Sequence, residues 1–342
     1  MSRLVVFGLD NSPVGDFIAD CNRGWILLGN TGVSDGGQTT VQVPESVAQQ
    51  PWLQLGRLVL VERPPLPAWL GVIDTPWKAL LPVEMTLYNA EYLFSLRHAE
   101  RSSYINGPLS AVIGEAIRIV NEQEQTYISL GNTNQLQQSF EKVIEQGAIW
   151  DQVIQFLEAS GYEMILRPQR DVNNRLSIFA DVGTLLGINT GYLLHDGERG
   201  NMTVIDAAVN GQLINRVKAV SGQSTEEAQL ETDVFEDQTS QNTWRTRSEV
   251  LQFDNVTQLS TLSEYAQIYL AASSRPYLDL TVQVEDRDNA FAHMRVGNYL
   301  LVHAAKVYLP GGIQGWRGDA RILAMAYDEK SDTVRTTLRG SL

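Results

Sequence analysis

"LGRLVLVERPPLPAWLGVID" (residues 55–74) reads as a strand, a proline-stiffened turn and a second strand. The pattern returns near the other end of the chain as "VGNYLLVHAAKVYLPGGIQGWRGDARI" (residues 296–322). Each copy opens on an apolar residue and a glycine, and its apolar run closes on Val before a Pro-bearing turn leads to Trp-x-Gly. Aligned on Gly56 and Gly297, Leu60 matches Leu301 and Val61 matches Val302. Trp69-x-Gly71 and Trp316-x-Gly318 follow after turns of different length, and alternating strands, "VEMTLYN" (83–89) and "TVRTTLRG" (333–340), end the units. Two readings are open: a pair of unrelated hairpins sharing common turn chemistry, or two related small β-barrels at opposite ends of one polypeptide.

Outward from the first copy, residues 1–97 read as many short strands: "RLVVFGLD" (3–10), "GWILLGN" (24–30), "TTVQV" (39–43) and "VEMTLYNAEYLFSLR" (83–97). "NSPVGD" (11–16) reads as a break and "TGVSDGGQ" (31–38) as a Gly-rich turn. The grammar changes at about residue 98. "LSAVIGEAIRIVNEQ" (109–123) places Leu109, Val112, Ile113, Ala116, Ile117 and Val120 on one helical face, with Pro108 at the first turn. "IWDQVIQFLEASG" (149–161) repeats this with Trp150, Val153, Ile154 and Leu157, and Gly161 is the expected C-cap. The strands "YEMILRP" (162–168) and "RLSIFAD" (175–181) follow, joined by the turn "QRDVNN".

Strands resume at about residue 209 with "QLINRVKAVSG". Six carboxylates and no base lie between Lys218 and Arg245, a solvated loop or edge hairpin. "LSTLSEYAQIYLAASSRP" (259–276) is a helix presenting Leu262, Tyr265, Ala266 and Tyr269, and "YLDLTVQVE" (277–285) leads into the second hairpin. The expected organisation is α+β and β-rich: an N-terminal β-barrel (1–97), an α/β insertion (98–208), and a second β-barrel (209–342) carrying an inserted loop and helix at about 257–273.

The chain has 342 residues, 43% hydrophobic and 19% charged, which suits two or three globular domains. A net charge of −14 excludes a duplex-gripping DNA binder, which needs a basic face, but suits a soluble protein or a wall past which DNA slides without sticking. Cys21 stands alone, so no intrachain disulfide or Cys-rich zinc site can form. No signal-peptide pattern opens the chain, and no apolar run approaches the roughly 20 residues that span a bilayer. Assembly in the cytoplasm is expected, where the sequons at Asn201 and Asn255 have no consequence.

No catalytic constellation stands out. His98, His195, His293 and His303 are scattered without metal-ligand spacing; a Ser meeting His195-Asp196 or His293 in space is the alternative to the reading that scattered histidines are mostly structural. Glu285, Asp286 and Asp288 form one acidic group and Asp328, Glu329 and Asp332 another; neither fits a calcium loop. Paired acids can hydrolyse glycosides if they converge, the alternative being turn carboxylates between strands. "GGIQGWRG" (311–318) has no helix after it to hold a phosphate and reads as a hairpin tip, and Arg317-Gly318-Asp319 is a coincidental adhesion tripeptide. Trp69, Trp77 and Trp316 look exposed, placed to stack on sugars or, the favoured reading, to seal a subunit interface. Catalytic, cofactor and metal residues are therefore expected to be none.

The ordered series "GWILLGNTGVSDGGQTTVQVP", "LGRLVLVE…WLGVID", "AEYLFSLR", "IWDQVIQFLEASGYEMIL", "RLSIFAD", "LLHDGERGN…GQLINRVKAVSG" and "MRVGNYLLVHA" resembles the tail hub proteins of tailed bacteriophages, with relatives in contractile injection machines. The resemblance runs almost the whole length, and its specificity lies in order and spacing rather than in any one piece. It implies a homotrimer at the virion tail tip whose paired tail-tube-like barrels form a ring matching a six-fold partner. It further implies a tail tube or distal-tail ring above, tip, needle or fibre proteins below, the tape-measure C-terminus in the lumen, and DNA only in passage. Many relatives continue into a lysozyme-like, peptidase or needle extension; stopping at Leu342, this chain is expected to carry none. The competing expectations are a cell-wall hydrolase using a carboxylate pair such as Glu285 and Asp286, and a carbohydrate-binding receptor module using the tryptophans.

Overall fold

The computed structural model describes residues 1–29, 37–134, 140–211, 213–221, 230–253, 256 and 258–342. Most of the Gly-rich turn expected at 31–38, the acidic residues Glu226 and Glu227, and the Asn255 sequon lie outside the described residues.

The first hairpin pairs Leu58–Glu62 with Trp69–Lys78, Val59 opposite Gly71 and Val61 opposite Trp69. It sits inside a six-stranded sheet in the order Pro13–Ala19, Ser2–Phe7, Leu58–Glu62, Trp69–Lys78, Val83–Asn89, Gln38–Val43. The second hairpin pairs Tyr299–Leu309 with Ile313–Asp328, Val302 opposite Gly318 and Ala304 opposite Trp316. Its sheet runs Asn189–His195, Tyr299–Leu309, Ile313–Asp328, Thr333–Ser341, Tyr277–Glu285, Met202–Asn210, with Arg23–Ile26 added against the far end of Ile313–Asp328.

Four strands correspond in both order and direction. Gln38–Val43, a helical turn at Glu45–Ala48, the hairpin and Val83–Asn89 match Tyr277–Glu285, a 3₁₀ turn at Ala290–His293, the second hairpin and Thr333–Ser341. The backbone hydrogen bonds at the two glycines are also the same. Gly56 N donates to Ile73 O and Ile73 N to Arg57 O; Gly297 N donates to Ile322 O and Ile322 N to Asn298 O. Both glycines hold a positive φ, +79° and +87°, which a side chain would resist. The Trp-x-Gly lies two residues farther from the glycine turn in the second copy. That even offset keeps both Trp side chains on the same face.

The copies differ outside this unit. Ser2–Phe7 flanks its hairpin antiparallel, whereas Asn189–His195 runs parallel to Tyr299–Leu309. Among the described residues, hydrogen bonding does not join the end strands of either sheet.

Burial differs for a clear reason. Val59, Val61 and Trp69 face the core of the N-terminal sheet, while Leu58, Leu60, Leu70 and Val72 join the apolar cluster of the α/β unit, whose strand Glu163–Arg170 lies against Trp69–Lys78. Covered on both sides, this strand must be apolar at every position, hence "LVLV". Burying those four outer side chains is worth on the order of 6–12 kcal/mol as an upper bound. The second copy alternates: Leu300, Val302 and Ala304 are buried, and Leu301 and His303 are not.

The helices Leu109–Gln123 and Ile149–Ser160 begin and end as the apolar spacing predicts, and Gly161 caps the second at φ +67°, its N–H donating to Leu157 O. They pack against the sheet Ile128–Asn134, Leu176–Gly183, Glu163–Arg170, Leu28–Gly29. Two local expectations change. Pro13–Ala19 is an edge strand rather than a break, because an edge tolerates a proline that cannot donate. Tyr92–Ser95 is a helical turn rather than strand: adjacent Leu93 and Phe94 both enter one core, which a strand's alternation forbids.

Asn189–His195 and most of Met202–Asn210 fall within 98–208, yet both strands hydrogen-bond into the C-terminal sheet. Arg216–Ser221 instead joins Phe235–Glu236 and Ser248–Phe253 in a separate three-stranded sheet. The helix Leu259–Ser273 covers it, Leu262 and Ala266 packing with Val217 and Ala219. This small unit is an excursion between two paired strand ends, Asn210 opposite Tyr277, closed at its base by Ile214 N donating to Ser273 O.

Candidate functional site

The tryptophans of the repeated motif are not exposed. Trp69 and Trp316 are 3% and 8% accessible. Each ring lies over the glycine two residues on, so close that a Cβ on Gly71 or Gly318 would stand 2.5 or 2.8 Å from a ring carbon. Trp69 also donates to Gly24 O at 2.7 Å. The motif is thus a packing device, and neither ring is free to stack on a sugar; Trp77 is half-buried.

Glu285, Asp286 and Asp328 work locally, whereas Asp332 reaches across to Arg63 at 2.7 Å. Glu285 pairs with Arg287, and Asp286 accepts from Phe291 N at the 3₁₀ turn. Asp328 accepts from Lys330 N and Ser331 N in the turn before Thr333. Asp196 accepts from Ala305 N and Lys306 N where the register of Tyr299–Leu309 shifts, so it braces a bulge rather than a catalytic histidine. His195 lies beside His303 across the parallel pair, His293 stacks on Tyr192, and His98 sits in a short strand beside Ala148. Among the described residues, no cluster of three or more His, Cys, Asp or Glu is placed to hold a metal. Cys21 is buried, which pushes its thiol up to about 12 and makes it a packing residue. Asn201 is buried and bonded to Tyr192, Leu193 and His195. Pro310–Gly312 forms the expected hairpin tip, and Arg317–Asp319 lies in strand.

Two buried ion networks lock the units together. Glu329, with its side chain 1% accessible, accepts from Ser2, Arg23 and Arg63 and pairs with the Met1 ammonium. Burial alone would raise this carboxyl, but those hydrogen bonds and charges outweigh it and hold it below its ordinary range. Arg23 is enclosed beneath Tyr327 at 4.6 Å. The second network joins Glu163 of the α/β unit to Arg321 of the C-terminal sheet by two hydrogen bonds. Sequence reading missed both. For the second, the available signal was a charge set inside an apolar strand, Glu163 in "YEMIL" and Arg321 in "DARILAMAY".

What stays open is surface. A cleft of 680 Å³ lies between the α/β unit, the excursion at 211–276 and the C-terminal sheet. A groove of 420 Å³ runs between the two sheets, walled by Thr39 on one side and Thr333 and Arg335 on the other. Met202–Asn210 is a nine-residue edge strand exposing Ile205 and Val209, and the tips at Leu80–Leu81 and Tyr308–Ile313 are apolar and exposed. Such edges and tips are where another chain adds. Among the described residues, no helix is long and apolar enough to cross a membrane.

Comparison with known proteins gives the same direction. No family model and no curated protein matches the chain. Solved structures do. The prophage tail protein gp18 from Listeria monocytogenes is similar over 100% of this chain and 95% of its own, with a TM-score of 0.59 at 11% identity. The 43 kDa tail protein of prophage MuSo2 from Shewanella oneidensis covers 99% and 98%, with a TM-score of 0.55 at 12% identity. A tail protein from Neisseria meningitidis covers 100% and 96%, with a TM-score of 0.54 at 13% identity. The chain has the fold of phage tail proteins from end to end.

Proposed function

We propose that this chain is a structural, non-catalytic component of a phage tail tip: a hub in which three copies form a ring. Each copy contributes two units of tail-tube barrel type, so the trimer offers six similar units to a six-fold tube or distal-tail ring. The observation that carries the reading is the repeated four-strand unit with its identical hydrogen bonds at Gly56 and Gly297. Likeness of fold to three tail proteins supports it. In this reading the N-terminal unit runs to about residue 97, and the α/β unit begins at about 98. The C-terminal unit recruits Asn189–His195 and Met202–Asn210. Tip, needle or fibre proteins attach below and the tape-measure C-terminus lies in the lumen. A net charge of −14 lets DNA pass without adhering.

Light scattering and negative-stain electron microscopy of the purified chain, alone and with its tail-tube or distal-tail partner, test this. The expected particle is a three-fold ring of hexagonal outline with three times the 38.0 kDa chain mass. A chain that stays monomeric in both settings ends the proposal.

A further inference from the structure

Where Val83–Asn89 turns into Tyr92–Ser95, the chain and the start of helix Ile149–Ser160 wall a cleft of 480 Å³. That volume falls in the range of about 300–1,000 Å³ typical of small-molecule sites. Its wall is aromatic. Tyr88 and Tyr92 stack at 4.4 Å with 20° between their planes, and Trp150 stands beside them, braced by Phe94 at 6.0 Å.

The tyrosine rings are held from behind. Tyr88 donates its hydroxyl to Thr75 O at 2.9 Å, and Tyr92 to Asp74 Oδ2 at 3.0 Å. A platform fixed in this way loses little side-chain freedom when something lies on it. Asn89, 6% accessible, lines the same cleft, and its Oδ1 is buried with no hydrogen-bond partner among the described residues. A buried oxygen left unpaired weakens the free protein, and such a group calls for an explanation. Gln38 and Glu91 add planar polar groups, and among the described residues no Lys, Arg or His lines the cleft.

We propose that this cleft is a saccharide subsite for one or two uncharged hexopyranose residues. The apolar C–H face of a pyranose ring suits a fixed aromatic wall, and its ring hydroxyls suit amide and carboxylate groups at the rim. Asn89 Oδ1 is closed off from solvent, and a turn of its side chain towards the cleft would let it accept a sugar hydroxyl and so satisfy the orphaned oxygen. With a carboxylate and no base in the wall, sugars bearing sialate or phosphate are disfavoured. The proposal stands independently of the ring assembly: a monomeric chain that binds sugar here would sink that reading and keep this one.

Saturation-transfer difference NMR on the intact chain tests it, using neutral glucose, galactose and mannose oligosaccharides, chitooligosaccharides and sialylated oligosaccharides. The neutral hexose and chitooligosaccharide arms separate an envelope glycan from a peptidoglycan-type amino sugar. The expected result is transfer to ring C–H protons of one neutral series. Asn89→Ala and Trp150→Phe should each weaken binding at least tenfold. Asn89→Ala should leave the melting temperature unchanged or raised, because it deletes an unpaired buried oxygen. No transfer from any neutral sugar, transfer from sialylated sugars alone, or binding unaffected by both substitutions would overturn the proposal.

Discussion

Replacing Arg321 by Met removes four hydrogen bonds at once. Its Nη1 and Nη2 donate to the Glu163 carboxylate, Nη2 also to Leu186 O at 2.6 Å, and Nε to Gly297 O at 3.1 Å. Glu163, whose Oε2 also accepts from Leu186 N, is left as a buried charge with one backbone donor. Breaking one side of a buried pair costs about 3–5 kcal/mol, and Glu163→Leu should cost the same from the other side. The double replacement leaves no stranded charge. It still deprives Leu186 N, Leu186 O and Gly297 O of partners, at about 1 kcal/mol each, so it should cost about 3 kcal/mol rather than 6–10. The coupling is therefore about 3 kcal/mol or more in favour of the pair. Urea unfolding of the parent, both single variants and the double, followed by tryptophan fluorescence and far-UV circular dichroism together, measures it; two probes are needed because a chain of several units need not unfold in one step. Single variants within 1 kcal/mol of the parent, or a double variant equal to their sum, would refute the view that this contact seals the α/β unit to the C-terminal sheet.

Gly71→Ala and Gly318→Ala both push a methyl into a Trp ring, and each should cost about 1–3 kcal/mol in chemical unfolding; tolerance at one site and loss at the other would deny the equivalence of the hairpins. Glu264 carries a buried Oε1 with no hydrogen-bond partner among the described residues, and burial raises its carboxyl above the ordinary range. The native state therefore keeps this proton where the unfolded chain has lost it, so stability falls as pH rises from the unfolded value through the folded one. Glu264→Gln should flatten that slope and gain stability at pH 7; a urea series across pH 4–7 showing a loss at pH 7 would contradict this.

Much of the local structure was legible. The helices at 109–123 and 149–160 follow from apolar residues three and four apart, and the Gly161 cap from the one residue type at ease at φ +67°. The strand 277–285 and both hairpin copies follow from alternation and turn residues. The site was less legible. Trp69 and Trp316 looked available from sequence, yet their rings fold back on the following glycines inside clusters assembled from distant strands. Nothing in the spacing of Tyr88, Tyr92 and Trp150 announces a shared cleft, since Trp150 arrives from a helix more than fifty residues away.

Sequence by itself determined that the chain is β-rich, that a glycine-led hairpin occurs twice, and that a helical module lies between, because those are properties of short segments and their own hydrogen-bonding period. Tertiary structure alone decided which strands are neighbours. Asn189–His195 and Met202–Asn210 join a sheet completed more than a hundred residues later, and "LVLV" is apolar throughout because the α/β unit covers its second face. A period of two tells a strand which of its faces is buried; it does not name the partner at its edge, which depends on what else folds alongside it.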